Sequence, residues 1–273
     1  MSITINEHRQ KITQAKRIVI KIGTSSLLYP NGKINLEAID ELAFVLTDLE
    51  NQGKEVLLVS SGAIGAGLHK LQLPTRPTSI PEQQAVAAVG QAELMNIYNQ
   101  RFVTYGQNIA QVLLTRDVIE YPESRQNVVN TLEQLLKMHI IPIVNENDTV
   151  AVDELDHETK FGDNDQLSAI VALLVKADVL IMLSDIDGFY DANPNKNPHA
   201  TLFREVHEIN PQLMEVAGGS GSRFGTGGMR SKLEAAQRLM KKHQSMVLAR
   251  GKHPRIIKKI LTGEAIGTLF TEK

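Results

Sequence analysis

The sequence predicts an α/β fold: a mainly parallel sheet covered by helices on both faces. Two observations lead there. Short β-branched runs at Ile18–Ile22, Val56–Val59, Ile109–Leu114, Ile140–Val144, Val179–Leu183 and Met246–Ala249 lack polar alternation, as strands buried on both sides do. Between them, Leu36–Asn51, Glu82–Tyr105, Arg125–Met138, Gln166–Lys176 and Met229–Lys242 repeat apolar residues at helical spacing. Strands separated by helices pair in parallel. Their strand-to-helix connections gather at one edge, where open α/β sheets hold ligands.

Composition narrows the function. The chain has 273 residues, enough for a large core, and a net charge of −2, so no broad basic field attracts nucleic acid. Trp is absent and aromatics are 4%, which leaves little for base stacking. Cysteine is absent, so disulfides, thiolate nucleophiles and zinc–thiolate sites are excluded. Met1 to Arg17 is polar, and no stretch approaches the ~20 apolar residues of a membrane span. A cytoplasmic location is expected.

Six segments carry candidate chemistry. In Lys21-Ile-Gly-Thr-Ser-Ser26, a lysine sits inside an apolar strand just before a glycine and three hydroxyls. It either snorkels to water or fixes a cation at the ligand edge, with Gly23 admitting a phosphate to the backbone. Val59-Ser-Ser-Gly-Ala-Ile-Gly-Ala-Gly67 follows a strand and opens a helix. Its glycines at 62, 65 and 67 miss the dinucleotide fingerprint. Ser60 or Ser61 reads as an N-cap, and the same hydroxyls suit a small anion.

Asn145-Glu-Asn-Asp-Thr149 puts polar side chains at a strand's carboxyl end, where a carboxylate can hold a substrate ammonium. In Phe161-Gly-Asp-Asn-Asp-Gln166, Asp163 and Gln166 fit a capping box, which leaves Asn164 and Asp165 unexplained. Leu183-Ser-Asp-Ile-Asp-Gly-Phe-Tyr-Asp191 lacks calcium-loop spacing and reads as a strand end at Ser184-Asp185 followed by a turn. Gly225-Thr-Gly-Gly-Met-Arg-Ser-Lys232 is not a Walker A loop, but flexible glycines before a helix favour phosphate binding there. No histidine pair has metal-ligand spacing, so no residue is assigned to a metal.

The ordered set KIGTSS, VSSGAIGAG, AAVGQ, LLT, NVVNTL, NENDTV, FGDNDQLSA, MLSDIDG and GTGGMRSK resembles the amino acid kinase family from about Arg17 to Phe270. NEND together with GDND matches the branch that phosphorylates glutamate. The resemblance implies an open three-layer αβα sandwich in a single domain spanning 1–273. Residues of about 1–160 would hold L-glutamate, and about 161–273 would hold ATP. It implies Ser61, Asp148, Asn164 and Asp165 on the glutamate side. On the ATP side it implies Lys21, Ser184, Asp185 and the run Thr226, Gly227, Gly228, Met229, Arg230, Ser231 and Lys232. Lys21 and Lys232 would be catalytic, with Asp163 organising both.

Mg²⁺ would ride on the ATP phosphates. Inhibition by L-proline and assembly into a homo-oligomer are further implications, as is a form without the C-terminal PUA domain that many relatives carry. Neither nucleic acid nor membrane is an expected partner. The alternatives are a sister kinase acting on another carboxylate, such as N-acetylglutamate, and a non-catalytic sensor of amino acid and nucleotide.

The chemistry fits these residues. A carboxylate nucleophile is already ionised at neutral pH, so no general base is needed. The difficulty is bringing one anion up to another. Two unit charges ~4 Å apart interact by about 1 kcal/mol in water and about 4 kcal/mol at an effective dielectric of 20. Fixed cations must offset this repulsion.

Overall fold

A computed structural model describes residues 7–115, 120–150, 164–217 and 228–272. Eight strands form one sheet: β1 (Arg17–Ile22), β2 (Glu55–Val59), β3 (Ile109–Leu114), β4 (Ile141–Glu146), β5 (Val179–Ser184), β6 (Glu205–Val206), β7 (Ser245–Arg250) and β8 (Thr268–Phe270). Their order is β3-β4-β2-β1-β5-β7-β8-β6, and every pair is parallel except β7 with β8. From β1 the chain moves to one side of the sheet, then returns to β5 on the other. The crevice beyond the carboxyl ends of β1 and β5 is therefore the topological switch point.

Side-chain parity splits the core into two layers. Ile18, Ile20 and Ile22 of β1, with Val56 and Leu58 of β2, join one buried cluster. Val19, Leu57 and Val59 join the other. The first layer is closed by α1 (Glu7–Thr13), α3 (Leu36–Asn51), α5 (Ile80–Thr104) and α10 (Ile256–Leu261). The second is closed by α6 (Pro122–Lys137), α7 (Asn164–Leu174) and α9 (Met229–Met240). Shorter helices among the described residues are α2 (Thr24–Leu27), α4 (Ala63–Lys70) and α8 (Pro211–Ala217). The three-layer mainly parallel architecture is the expected one.

Local signals set several boundaries. The Asn35 side chain caps α3 by accepting from the N–H of Ala38 at 3.1 Å. Ser79 caps α5 by accepting from the N–H of Glu82 at 3.4 Å while its hydroxyl donates to the Glu82 carboxylate at 2.7 Å, with Pro81 in the first turn. That starts α5 two residues before the expected Glu82. Strand β4 runs on through Asn145 and Glu146, which pair with Leu113 and Leu114. The polar segment expected to follow this strand is thus partly inside it. The strand β8 was too short to show a period, and so was β6, which has two residues.

Of the glycines at 62, 65 and 67, the first makes a turn and the other two serve packing, a Cβ on Gly65 meeting Leu28 at 2.2 Å. Gly62, at φ 95, is the N-cap of α4 and makes no side-chain cap bond. The expected serine cap is therefore corrected, because only a left-handed residue makes this turn without strain. A Cβ on Gly67 would lie 2.1 Å from the carbonyl of Val86, and one on Gly90 1.8 Å from that of Ala63. Helices α4 and α5 thus meet backbone to backbone.

Candidate active site

Parity places the first functional side chain. Lys21 shares its face of β1 with Val19, so its stem enters the layer that α7 and α9 close. On α9, Lys232 continues the buried stripe of Ala235, Ala236 and Leu239 at i+3, i+4 and i+7. On α7, Asp165 begins the buried row that includes Ser168 and Ala172. The three side chains converge. Lys21 Nζ forms an ion pair with Asp165 Oδ1 at 2.6 Å, and Lys232 Nζ donates to Oδ2 at 2.9 Å. All three are buried, Asp165 almost completely.

Burial pushes the Asp165 carboxyl up, but the two ammonium groups and their hydrogen bonds outweigh it and hold it below the usual carboxylate range. The carboxylate that joins both lysines among the described residues is Asp165. Asp163, expected in that role, lies outside those residues, as do Thr226 and Gly227.

Beside this triad runs a neutral hydrogen-bond chain. Asn164, next to Asp165, donates through Nδ2 to Ser61 Oγ at 2.8 Å and to Asn145 Oδ1 at 3.1 Å. Asn145 Nδ2 donates to Gln91 Oε1 at 2.9 Å, and Asn145 Oδ1 also accepts from the N–H of Glu146. Ser60 Oγ and the Tyr98 hydroxyl share a buried hydrogen bond of 2.9 Å, and burial raises the Tyr98 phenol above its ordinary range. Sequence reasoning missed Gln91 and Asn145. Both sit in segments it had singled out, yet an amide pointing inward from a helix or strand has no spacing signature.

A cleft of about 1280 Å³ opens over these groups. Its wall includes Lys21, Ser61, Asp148, Asn164, Asp165, Ser184, Asp185 and Lys232. Ser184 Oγ donates to Asp185 Oδ1 at 3.1 Å at the end of β5. Four other expected ATP residues, Gly228 to Ser231, do not line the cleft but build the start of α9, with Gly228 as its N-cap. The Arg230 guanidinium pairs with Glu234 on the outer surface of α9 at 3.0 Å. The Ser231 carbonyl accepts from Gln166 Nε2 at 2.9 Å, tying α9 to α7.

A parallel sheet with an anion-receptive lysine pair over its switch point is the arrangement of a phosphate-handling α/β protein. The sequence profile of the amino acid kinase family matches residues 16–250. The chain belongs to that family. It is 73% identical to the glutamate 5-kinase of Enterococcus faecalis over 262 residues, 96% of this chain and 97% of the relative. It is 64% identical to the glutamate 5-kinase of Listeria monocytogenes serovar 1/2a over 265 residues, covering 97% and 96%.

Among solved structures, isopentenyl phosphate kinase of T. acidophilum superposes with a TM-score of 0.62 at 19% identity, covering 93% of this chain and 99% of that one. UMP kinase of Bacillus anthracis gives 0.61 at 15% identity, covering 95% and 97%. These two share the fold.

Proposed function

We propose that this chain transfers the γ-phosphoryl group of ATP to the side-chain carboxylate of L-glutamate. The products are L-glutamyl 5-phosphate and ADP, and the reaction opens proline biosynthesis. The observation that carries this reading is the meeting of Lys21 and Lys232 on one buried carboxylate, on the wall that also bears Ser61, Asp148 and Asn164. The name of the 73%-identical relative supports the choice of glutamate among carboxylates.

In this scheme a carboxylate oxygen of glutamate attacks the γ-phosphorus while the bond to the β–γ bridging oxygen breaks and ADP leaves. Lys21 and Lys232 hold phosphate oxygens and offset the anion–anion repulsion. Asp165 keeps both ammonium groups on one side of the crevice. Asp148 pairs with the α-ammonium of glutamate. Ser61, oriented by Asn164, takes the α-carboxylate. Residues of about 1–160 supply the amino-acid side and about 161–273 the nucleotide side, with Ser184, Asp185 and Lys232 facing ATP from the cleft wall and Gly228 to Ser231 contributing only as the start of α9. Mg²⁺ brought in with ATP would supply further positive charge to the phosphates. No set of side chains is assigned to hold it, and Asp165 is engaged by the lysines. L-Proline as feedback inhibitor and a homo-oligomeric assembly complete the proposal.

ADP release with MgATP tests it. Turnover is expected with L-glutamate and not without it, and N-acetylglutamate should fail because its acetylated amine carries no charge for Asp148. ATP binding without glutamate-dependent turnover would make the chain a sensor rather than a kinase.

A further inference from the structure

Far from the cleft, a second cluster stands at the edge of the sheet. Glu205 lies in β6 and His207 just beyond its end, and their side chains meet, His207 Nε2 being 3.3 Å from Glu205 Oε2. Helix α1 docks there. The guanidinium of its buried Arg9 donates to the backbone carbonyls of Arg204, Glu264, Ile266 and Gly267. That docking brings His8 over the strand, where its ring lies 4.8 Å from the His207 ring, centroid to centroid. One ligand atom each from His8, Glu205 and His207 lies within 4.8 Å of the others, and all three side chains are half-buried.

The hydrogen bonding fixes what the cluster presents. His207 Nδ1 sits 3.0 Å from the Thr271 carbonyl, which can only accept, so Nδ1 carries a proton. This is the outer-shell contact that orients a metal-binding imidazole. Nε2 then faces Glu205 Oε2 at 3.3 Å. A lone pair and a carboxylate at that range require a cation between them, either a proton or a metal ion. The separation matches a tetrahedral edge of about 3.3–3.4 Å, computed from metal–ligand bonds of about 2.0–2.1 Å.

We propose that His8, Glu205 and His207 bind one late first-row divalent ion, zinc by preference, with water completing the coordination. Two imidazoles and one carboxylate favour zinc, cobalt or nickel over magnesium. The ion would staple α1 to the edge strand. Sequence spacing cannot show such a site, because His8 and His207 lie far apart in the chain. The adjacent Arg9 charge opposes a cation, so affinity should be moderate.

Calorimetric titration of the chelator-treated full chain with ZnCl₂ tests the proposal. The expected result is one ion per chain, with affinity lowered by about 10²-fold or more in both His8→Gln and Glu205→Gln, since even outer-shell partners are worth about 10- to 100-fold. His243→Ala, whose imidazole pairs with Glu272 elsewhere, should titrate like the parent. Zinc should raise the Tm of the parent and not that of His8→Gln, and MgCl₂ should raise neither. Absence of one-to-one binding, or binding that survives both substitutions, overturns the proposal and leaves a proton between His207 and Glu205.

Discussion

The two ends of β1 treat charge in opposite ways. At its start, one cation serves two carboxylates: Arg17 pairs with Glu55 at 2.6 Å and Glu133 at 2.5 Å, and also donates to the Val175 carbonyl. At its finish, one carboxylate serves two cations, Asp165 between Lys21 and Lys232. The first arrangement closes the bottom of the sheet, and hydrogen bonds to both glutamates raise the Arg17 pKa although burial opposes this. The second lies open to the cleft. Ion pairs of similar geometry therefore do different work, and the sign of the group in excess indicates which end receives an anionic ligand.

Asp165→Asn should break this contrast most severely. It strands two buried ammonium groups, so stability is expected to fall by about 3–5 kcal/mol in urea unfolding, with loss of turnover. Because the folded Asp165 carboxyl is held below its ordinary value, its stabilising contribution is fully present above the unfolded carboxylate range of about 3.9. That contribution is lost only as pH falls through the lowered folded value. The stability gap between the parent and Asp165→Asn should therefore be flat from neutral pH to about 5 and close below it. A gap that closes near pH 7 would rule out this charge assignment.

Lys232→Ala sharpens the contrast. It should lower kcat by on the order of 10²-fold or more, as at other electrostatic stabilisers. The stability loss should be smaller than for Asp165→Asn, because Lys21 still pairs with the carboxylate. Near-normal turnover would remove Lys232 from the chemistry.

Asp148→Ala should mainly raise the KM for glutamate, and an effect confined to the KM for ATP would reverse the assignment of the two sides. Gln91→Leu should act more weakly on the same constant. It would cost about 1–3 kcal/mol of stability, because the amide of Asn145 loses its buried acceptor. Arg17→Met, at the opposite end of the sheet, should cost about 1–3 kcal/mol and leave kcat unchanged.

Much of this was legible in the sequence, for physical reasons. Central parallel strands are apolar on both faces, so β1, β2 and β5 were visible as uninterrupted runs. The helix Leu36–Asn51 has the expected bounds, because its apolar period is long and Asn35 caps it. Lys21 was conspicuous as the one charge inside such a run. Less legible were residues whose role depends on partners far away in the chain. Asn145 and Gln91 look like ordinary strand-end and helix polar groups until the fold joins them to Asn164. Helix α1 is polar in sequence because much of its docking runs through Arg9 rather than through an apolar stripe. The glycines around 62–67 resembled a phosphate loop, since close helix contact and anion binding both call for a missing Cβ.

The central position of β1 has a consequence for synthesis. Its partner on one side, β2, begins at Glu55, but β5 on the other side begins only at Val179. At ribosomal speeds of about 5–20 residues per second, the wait between the two is roughly six to twenty-five seconds. Throughout that interval Ile18–Ile22, apolar except for Lys21, keeps one edge unpaired. A ribosome that stalls before Val179 would release a chain with a sticky open edge, a natural client for chaperones and a seed for aggregation.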